Sequence, residues 1–343
     1  MSPRKRSSVP SRRRPSVPKA LRPKPEIPEP PEYLRRIGVK PRKALGQHFL
    51  IDQFILADIA RACCPQGGET VLEIGAGPGG LTEELANLAG RVVAVELDEE
   101  LAASTRERLK RFKHLDVIAA DVMDYEPDEL LREGSGEPPY TACGNLPYYI
   151  TQPIVRRMLE AQPGPQRVVV LVQREVAQRV VGGPGRESLL SISVKVYGAP
   201  RVLFDVPHTA FWPPPKVQSA VIAIEKFDAP ALDLPFEEIE AFFYLVRAGF
   251  AQPRKQLHNV LTDEFTLERI PVLALLAEAG IEATSRAQHL QVADWERLYG
   301  VMKRRHPALL EAIEAEAPED EDTNDEFNPD DFEDESDEEP DDE

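Results

Sequence analysis

Between residues 50 and 172 the chain repeats one pattern: a short apolar run, a turn, then a longer stretch with apolar positions three and four apart. Thr70–Ile74, Arg91–Val95, Leu115–Ala119, Tyr140–Cys143 and Arg167–Val172 have the length and β-branched content of buried strands. Leu81–Ala89, Glu99–Arg111 and Ile154–Ala161 read as helices, the first stopped by Gly90. An earlier helix begins at Asp52, a capping residue, with Ile55, Ile59 and Ala62 on its buried face. This rhythm predicts an α/β fold, a doubly wound and mainly parallel sheet. Ligands of such sheets sit at the carboxyl ends of the strands. Gly75, Glu96, Asp121 and Asn145 each fall at such an end.

After Val172 the pattern changes. Val194–Val206 and Val217–Ile224 read as strands around a proline-rich loop, Phe211-Trp212-Pro213-Pro214-Pro215-Lys216. From Phe236 to about Ile313 only helical periodicity is left, punctuated by Gly249, Pro253, Pro271, Gly280 and Pro307. The expected organisation is a basic Pro/Arg-rich arm over 1–32, an α/β domain over 33–228, a small all-helical domain over 229–313 and an acidic tail over 314–343. Both ends are expected to be disordered.

Charge sharpens this division. Residues 1–25 hold nine Lys/Arg and no acid, and residues 314–343 hold nineteen Asp/Glu and no base. Setting both aside from the formal −18 leaves the body at −8. A nucleic-acid contact must therefore use a local basic patch. The arm's Arg/Ser-rich composition resembles a transit peptide, but six prolines oppose the amphipathic helix such a peptide needs. No apolar run has membrane-spanning length, and the three cysteines (Cys63, Cys64, Cys143) have no metal-ligand spacing. No metal is expected, and a reducing cytoplasmic setting fits.

The candidate chemistry starts at Gly75-x-Gly77-x-Gly79, a loop that lets backbone pass close beneath a ligand. Glu96 follows at the spacing that holds a ribose diol. The loop alone leaves two cofactors open, a nicotinamide dinucleotide and S-adenosylmethionine. Three features favour the second. Glu73 is placed to approach the aminoacyl end. Asp121-Val122 suits an adenine amino group. No hydride-transfer pair follows. Each carboxylate alone reads equally well as a cap or a solvated strand end; acids at successive strand ends do not.

Asn145-Leu146-Pro147-Tyr148 then points to the methyl acceptor. An exocyclic adenine amine is a poor nucleophile because its lone pair is delocalised into the ring. Accepting its hydrogens with the Asn145 side chain and a carbonyl of Leu146 or Pro147 favours the form with a free lone pair. Tyr148 is expected to stack on the extruded base, with Phe211 on its other face. The competing reading makes the segment an ordinary turn and Phe211-Trp212 a packing pair.

Five segments taken together resemble the small-subunit ribosomal RNA adenine N6,N6-dimethyltransferase family: Leu45–Leu50, Glu73–Thr82, Asn145–Ile150, Gln173–Ala177 and Phe211–Ser219. The resemblance covers roughly residues 40–305. It implies a class I, Rossmann-like methyltransferase fold and dimethylation of two adjacent adenosines near the 3′ end of small-subunit rRNA. The substrate it implies is an immature subunit, the cofactor S-adenosylmethionine, and the enzyme a monomer. It also implies cofactor contacts from His48, Leu50, Gly75, Glu96, Asp121 and Asn145, to which the reading of the loop and strand ends adds Glu73, Gly77 and Val122. His48 and Tyr149 depart from the asparagines common at those positions, which puts a side-chain contact from His48 in question. Ala248–Asn259 resembles the family's basic helical segment. With the Lys40, Arg42, Lys43 cluster and Arg174, residues Arg247, Arg254, Lys255 and His258 are the expected phosphate contacts. The alternatives are a large-subunit rRNA methyltransferase of the antibiotic-resistance type and a catalytically silent rRNA-binding assembly factor.

Overall fold

The computed structural model describes residues 29–36, 38, 41–42, 47–146 and 150–307. Most of the basic arm, the acidic tail, Lys40, Lys43, Pro147, Tyr148 and Tyr149 lie outside these residues.

The strands are β1 (Phe49–Leu50), β2 (Thr70–Ile74), β3 (Arg91–Glu96), β4 (Leu115–Ala119), β5 (Tyr140–Asn145), β6 (Arg167–Gln173), β7 (Gly198–Val206), β8 (Phe211–Trp212) and β9 (Ser219–Lys226). Seven of them form one sheet in the order β4-β3-β2-β5-β6-β9-β7. The β4-to-β6 portion is parallel; β9 runs antiparallel to both β6 and β7. The sheet is thus doubly wound, and its direction of progression reverses between β2 and β5. That reversal opens a crevice at the strand ends.

Helices cover both faces, which is why the central strands are mostly apolar. Val71, Val92, Cys143 and Val169 turn toward α2 (Gln53–Cys63) and α3 (Gly80–Leu88). Their neighbours Leu72, Val93, Ala142 and Val168 turn the other way, toward α5 (Pro127–Glu133), α6 (Thr151–Glu160) and α7 (Arg174–Val181). The buried stripe of α2 is Leu56, Ile59, Ala60 and Cys63, with Ile55 and Ala62 only half-buried. The expected face was therefore rotated by about one residue. The Asp52 cap is present: its Oδ1 accepts from Phe54 N at 2.9 Å and Ile55 N at 3.2 Å.

One expected strand is wrong at its start. Val194–Tyr197 belongs to helix α8 (Leu189–Tyr197), and β7 begins only at Gly198. The β-branched run concealed the helix. Ser188 caps it, and it buries two faces: Val194 packs against the sheet while Ile192 and Val196 enter the core of the helical region. That region comprises α9 (Ile239–Phe250), α10 (Leu257–Glu264), α11 (Arg269–Glu278) and α12 (Val292–Arg305) around Trp295, Phe242 and Tyr299.

Candidate active site

The β2–β5 crevice is a cleft of about 340 Å³ whose walls include Glu73, Gly75, Glu96, Asp121 and Asn145. Its floor is the glycine turn after β2. Gly75, Gly77 and Gly79 have φ of 78°, 53° and 78°, a left-handed conformation that a side chain would strain. Helix α4 (Glu99–Leu109) braces this turn from outside. Thr105 Oγ1 donates to the Gly77 carbonyl at 2.9 Å, and Arg108 Nη2 donates to the carbonyls of Pro78 at 3.0 Å and Gly79 at 2.6 Å. With its carbonyls drawn outward, the turn leads directly into the amino terminus of α3, a favourable place for polar ligand groups.

Glu96 sits at the end of β3, 7% exposed. Its Oε2 accepts from Gly77 N at 2.7 Å and its Oε1 from Asp98 N at 3.0 Å. Burial raises its pKa, opposed by those backbone amides. The carboxylate therefore fixes the glycine turn while keeping lone pairs for a ligand. Leu97 beside it lines the cleft and is 52% exposed, an apolar platform at the mouth. Asp121 lines the cleft too, and its Oδ1 caps the short turn after β4 through Met123 N at 2.9 Å. The capping role does operate there, alongside cleft placement. Val122 is buried in the wall.

Glu73 is 1% exposed. Burial pushes its carboxyl up to about 7; the Thr82 hydroxyl favours the anion, and the nearby Glu96 opposes it. Even so, Glu73 Oε2 and Thr82 Oγ1 complete no hydrogen bond among the described residues. An orphaned buried oxygen in a cleft wall marks where a ligand donor or cation belongs. The sign of the linkage follows. The folded chain holds this proton up to about pH 7, whereas the reference carboxyl releases it at 4.5. Stability is then lost as pH rises through that window. At about 1.4 kcal/mol per pH unit, the cost above the window is roughly 3 kcal/mol. Urea unfolding at about pH 5 and about pH 8 should show Glu73→Gln losing less stability than wild type between the two. Equal losses would remove Glu73 from the linkage.

Asn145 ends β5. Its Nδ2 donates to the His48 carbonyl at 3.1 Å, which fixes the amide orientation and leaves Oδ1 as the acceptor. The His48 ring is turned away: Nδ1 bonds the Pro213 carbonyl at 2.7 Å. His48 thus acts on Asn145 through its backbone, and its ring ties the Phe49 segment to the proline-rich loop. Strands β1 and β8 seal the same junction, pairing Phe49 with Trp212 and Leu50 with Phe211. Leu50 and Leu146 are buried wall residues.

Phe211 requires a correction. It is 2% exposed and packs in the core with Leu56, Ile59 and Val206, because pairing with β1 turns its ring inward. It is not available to a base in this conformation. Cys143 is fully buried, and the neighbouring Cys63 together with burial raises its thiol well above the ordinary value.

The expected phosphate contacts separate. His258 is corrected: it is 2% exposed, with Nδ1 bonded to the Ala283 carbonyl at 2.9 Å. The segment 251–256 is a turn rather than a helix, and α10 starts at Leu257 with His258 facing in. Arg254 and Lys255 are exposed on that turn, Lys255 near Asp263 at 3.8 Å. Arg247 is half-buried on α9. Arg174 bonds Gln218 at 3.1 Å and approaches Asp205 at 3.5 Å. Arg42 pairs with the buried Asp98 at 3.1 Å, which fastens the segment before His48 to the start of α4. Sequence reasoning missed Thr105 and Arg108, whose only sequence signal is their spacing on one helix face, and Leu97, an apolar residue between two acids.

The sequence profile of the ribosomal RNA adenine dimethylase family matches residues 38–303. The chain belongs to this family. A dimethylase of this kind has relatives in several bacteria. It is 41% identical over 267 residues to the ribosomal RNA small subunit methyltransferase A of Dehalococcoides mccartyi, covering 78% of this chain and 90% of that one. It is 38% identical over 269 residues to the protein of the same name from Moorella thermoacetica, covering 76% and 92%. Among solved structures it resembles the 23S rRNA methyltransferase ErmE, with TM-score 0.59, 30% identity and coverage of 74% and 99%. A dimethyladenosine transferase from Plasmodium falciparum has the same fold, with TM-score 0.62, 22% identity and coverage of 75% and 98%. As a family member the chain is an rRNA adenine dimethyltransferase.

Proposed function

We propose that this dimethylase transfers methyl groups from S-adenosylmethionine to N6 of two adjacent adenosines near the 3′ end of small-subunit rRNA, acting on an immature subunit. The observation that carries the reading is Asn145, held at the rim of the glycine-floored cleft, its acceptor oxygen without a partner among the described residues. The cofactor fits the residues present. Glu96 would hold its ribose, Glu73 its aminoacyl end, Asp121 and Val122 its adenine, with Leu97 as the apolar platform at the mouth. A cation beside Glu73 would discharge the carboxyl's proton and satisfy the orphaned oxygen. When bound, the cofactor supplies an electrophilic methyl group on sulfonium sulfur.

The chain's own residues orient the acceptor. Asn145 Oδ1 accepts one amine hydrogen, and a carbonyl at Leu146 or Pro147 the other; this localises the nitrogen lone pair without a dedicated base. Tyr148 stacks on the base in this reading. Since Phe211 is buried, the second face of the base falls to another residue or to a rearranged β8. Arg174, Arg254 and Lys255, exposed on the surface, take rRNA phosphates, with Arg247 at the edge of that surface.

Mass-spectrometric mapping of ribosomal RNA from subunits treated with the protein tests this. The expected product is N6,N6-dimethyladenosine at two neighbouring positions of the small-subunit rRNA. The 30% identity to ErmE supplies the second reading, large-subunit methylation. Product in the large-subunit rRNA alone would select it.

A further inference from the structure

A buried carboxylate lies outside the cleft, beneath the joint between the sheet and the helical region. Helix α7 ends in Gly182-Gly183-Pro184-Gly185-Arg186, with φ of 56°, 139° and 75° at the three glycines. Such a turn has little stiffness of its own. Glu187, 5% exposed, supplies it. Its Oε1 accepts from Gly183 N at 3.1 Å and Lys195 Nζ at 2.7 Å. Its Oε2 accepts from Ser191 Oγ at 2.6 Å and Lys195 Nζ at 2.8 Å. A methyl group added at Gly182 would lie 2.5 Å from that same oxygen, so the turn is wrapped closely over the carboxylate. Ser191 and Lys195 are four apart on one face of α8, and Glu187, just before the helix cap Ser188, reaches both.

The same turn hydrogen-bonds to the helical region. Glu187 N donates to the Gln288 carbonyl at 3.0 Å, and Gln288 Nε2 donates to the Gly185 carbonyl at 3.1 Å. Gln288 lies between Ala287 and Leu290, both buried in the helical core. The Glu187 side chain therefore ties the end of α7 to α8, and through its backbone amide and the Gln288 side chain the turn it shapes is tied to the helical region. A buried ion pair is weak evidence for stability, because desolvation offsets most of its attraction. Its value here is geometric: it selects one shape for a glycine turn that has many.

We propose that Glu187 is a positioning residue for methyl transfer. It holds the helical region at a single angle to the cleft, so that one rRNA reaches both surfaces together. This rests on the rRNA reading above. It assigns Glu187 no contact with substrate or cofactor.

The test uses the full chain with Glu187→Gln, Glu187→Ala and the double variant Glu187→Ala/Lys195→Met. The double variant leaves no half-buried ammonium without its partner, so it keeps the test valid if Glu187→Ala fails to fold. Two quantities are read: hydrogen exchange at 182–189 and 287–290, and steady-state methylation of undermethylated small subunits. The expected result is faster exchange in both segments and a KM for subunits raised about tenfold, with kcat and the dissociation constant for S-adenosylhomocysteine within about twofold of wild type. Glu187→Gln should restore part of both effects. A folded double variant with wild-type exchange, or with wild-type KM, would overturn the proposal. The exchange measurement needs no activity. An inactive wild-type protein whose variants still lose protection would therefore count against the rRNA reading and support the joint.

Discussion

Asn145→Ala should lower methyl transfer by about 10²- to 10³-fold while the protein still folds and binds S-adenosylhomocysteine. Removing one preorganised acceptor has that order of effect when it acts where charge develops. The substitution deletes one hydrogen bond, from Nδ2 to the His48 carbonyl, and leaves β5 paired on both sides. The fold cost is therefore small against the catalytic one, about 1 kcal/mol. Single-turnover methylation of small subunits reads the chemical step, and calorimetry with S-adenosylhomocysteine reads the site. Transfer at the wild-type rate would take Asn145 out of the chemistry. A parallel loss of cofactor binding would make it a wall residue only.

Glu96→Ala should weaken S-adenosylhomocysteine binding by about 10²- to 10⁴-fold. Two charge-assisted hydrogen bonds to a ribose diol, at roughly 1.5–3 kcal/mol each, set that scale. A second effect adds to the loss. Without the carboxylate the amides of Gly77 and Asp98 lose their acceptor, and the glycine turn loses a brace from its inner side. Glu96→Gln keeps one acceptor oxygen and should fall between alanine and wild type. An unchanged dissociation constant for either variant would refute the ribose role.

Much of the site is legible in the sequence. Gly75, Glu96, Asp121 and Asn145 were placed at four strand ends by counting apolar runs, and the cleft gathers all four. The orientation of side chains was not legible. Phe211 and His258 were singled out by residue type and neighbours, and both point inward. For Phe211 the cause is a two-residue strand pairing with Phe49-Leu50, some 160 positions away in the chain. For His258 it is a turn that delays α10 until Leu257 and so rotates its faces. Val194–Tyr197 failed for a third reason: β-branched residues prefer strands locally, and burial on both sides of α8 overrides that preference.

By itself the sequence determined the alternation of strands and helices from Thr70 to Val172, the parallel part of the sheet, the glycine turn and the asparagine at the rim. Each of these depends on local periodicity or on a residue type with one special conformation. Only the tertiary structure decided which way His48 acts, which aromatic is buried, and that Glu187 ties two regions together. Those outcomes depend on contacts between segments far apart in the chain, where a rotation of one residue exchanges a buried face for an exposed one.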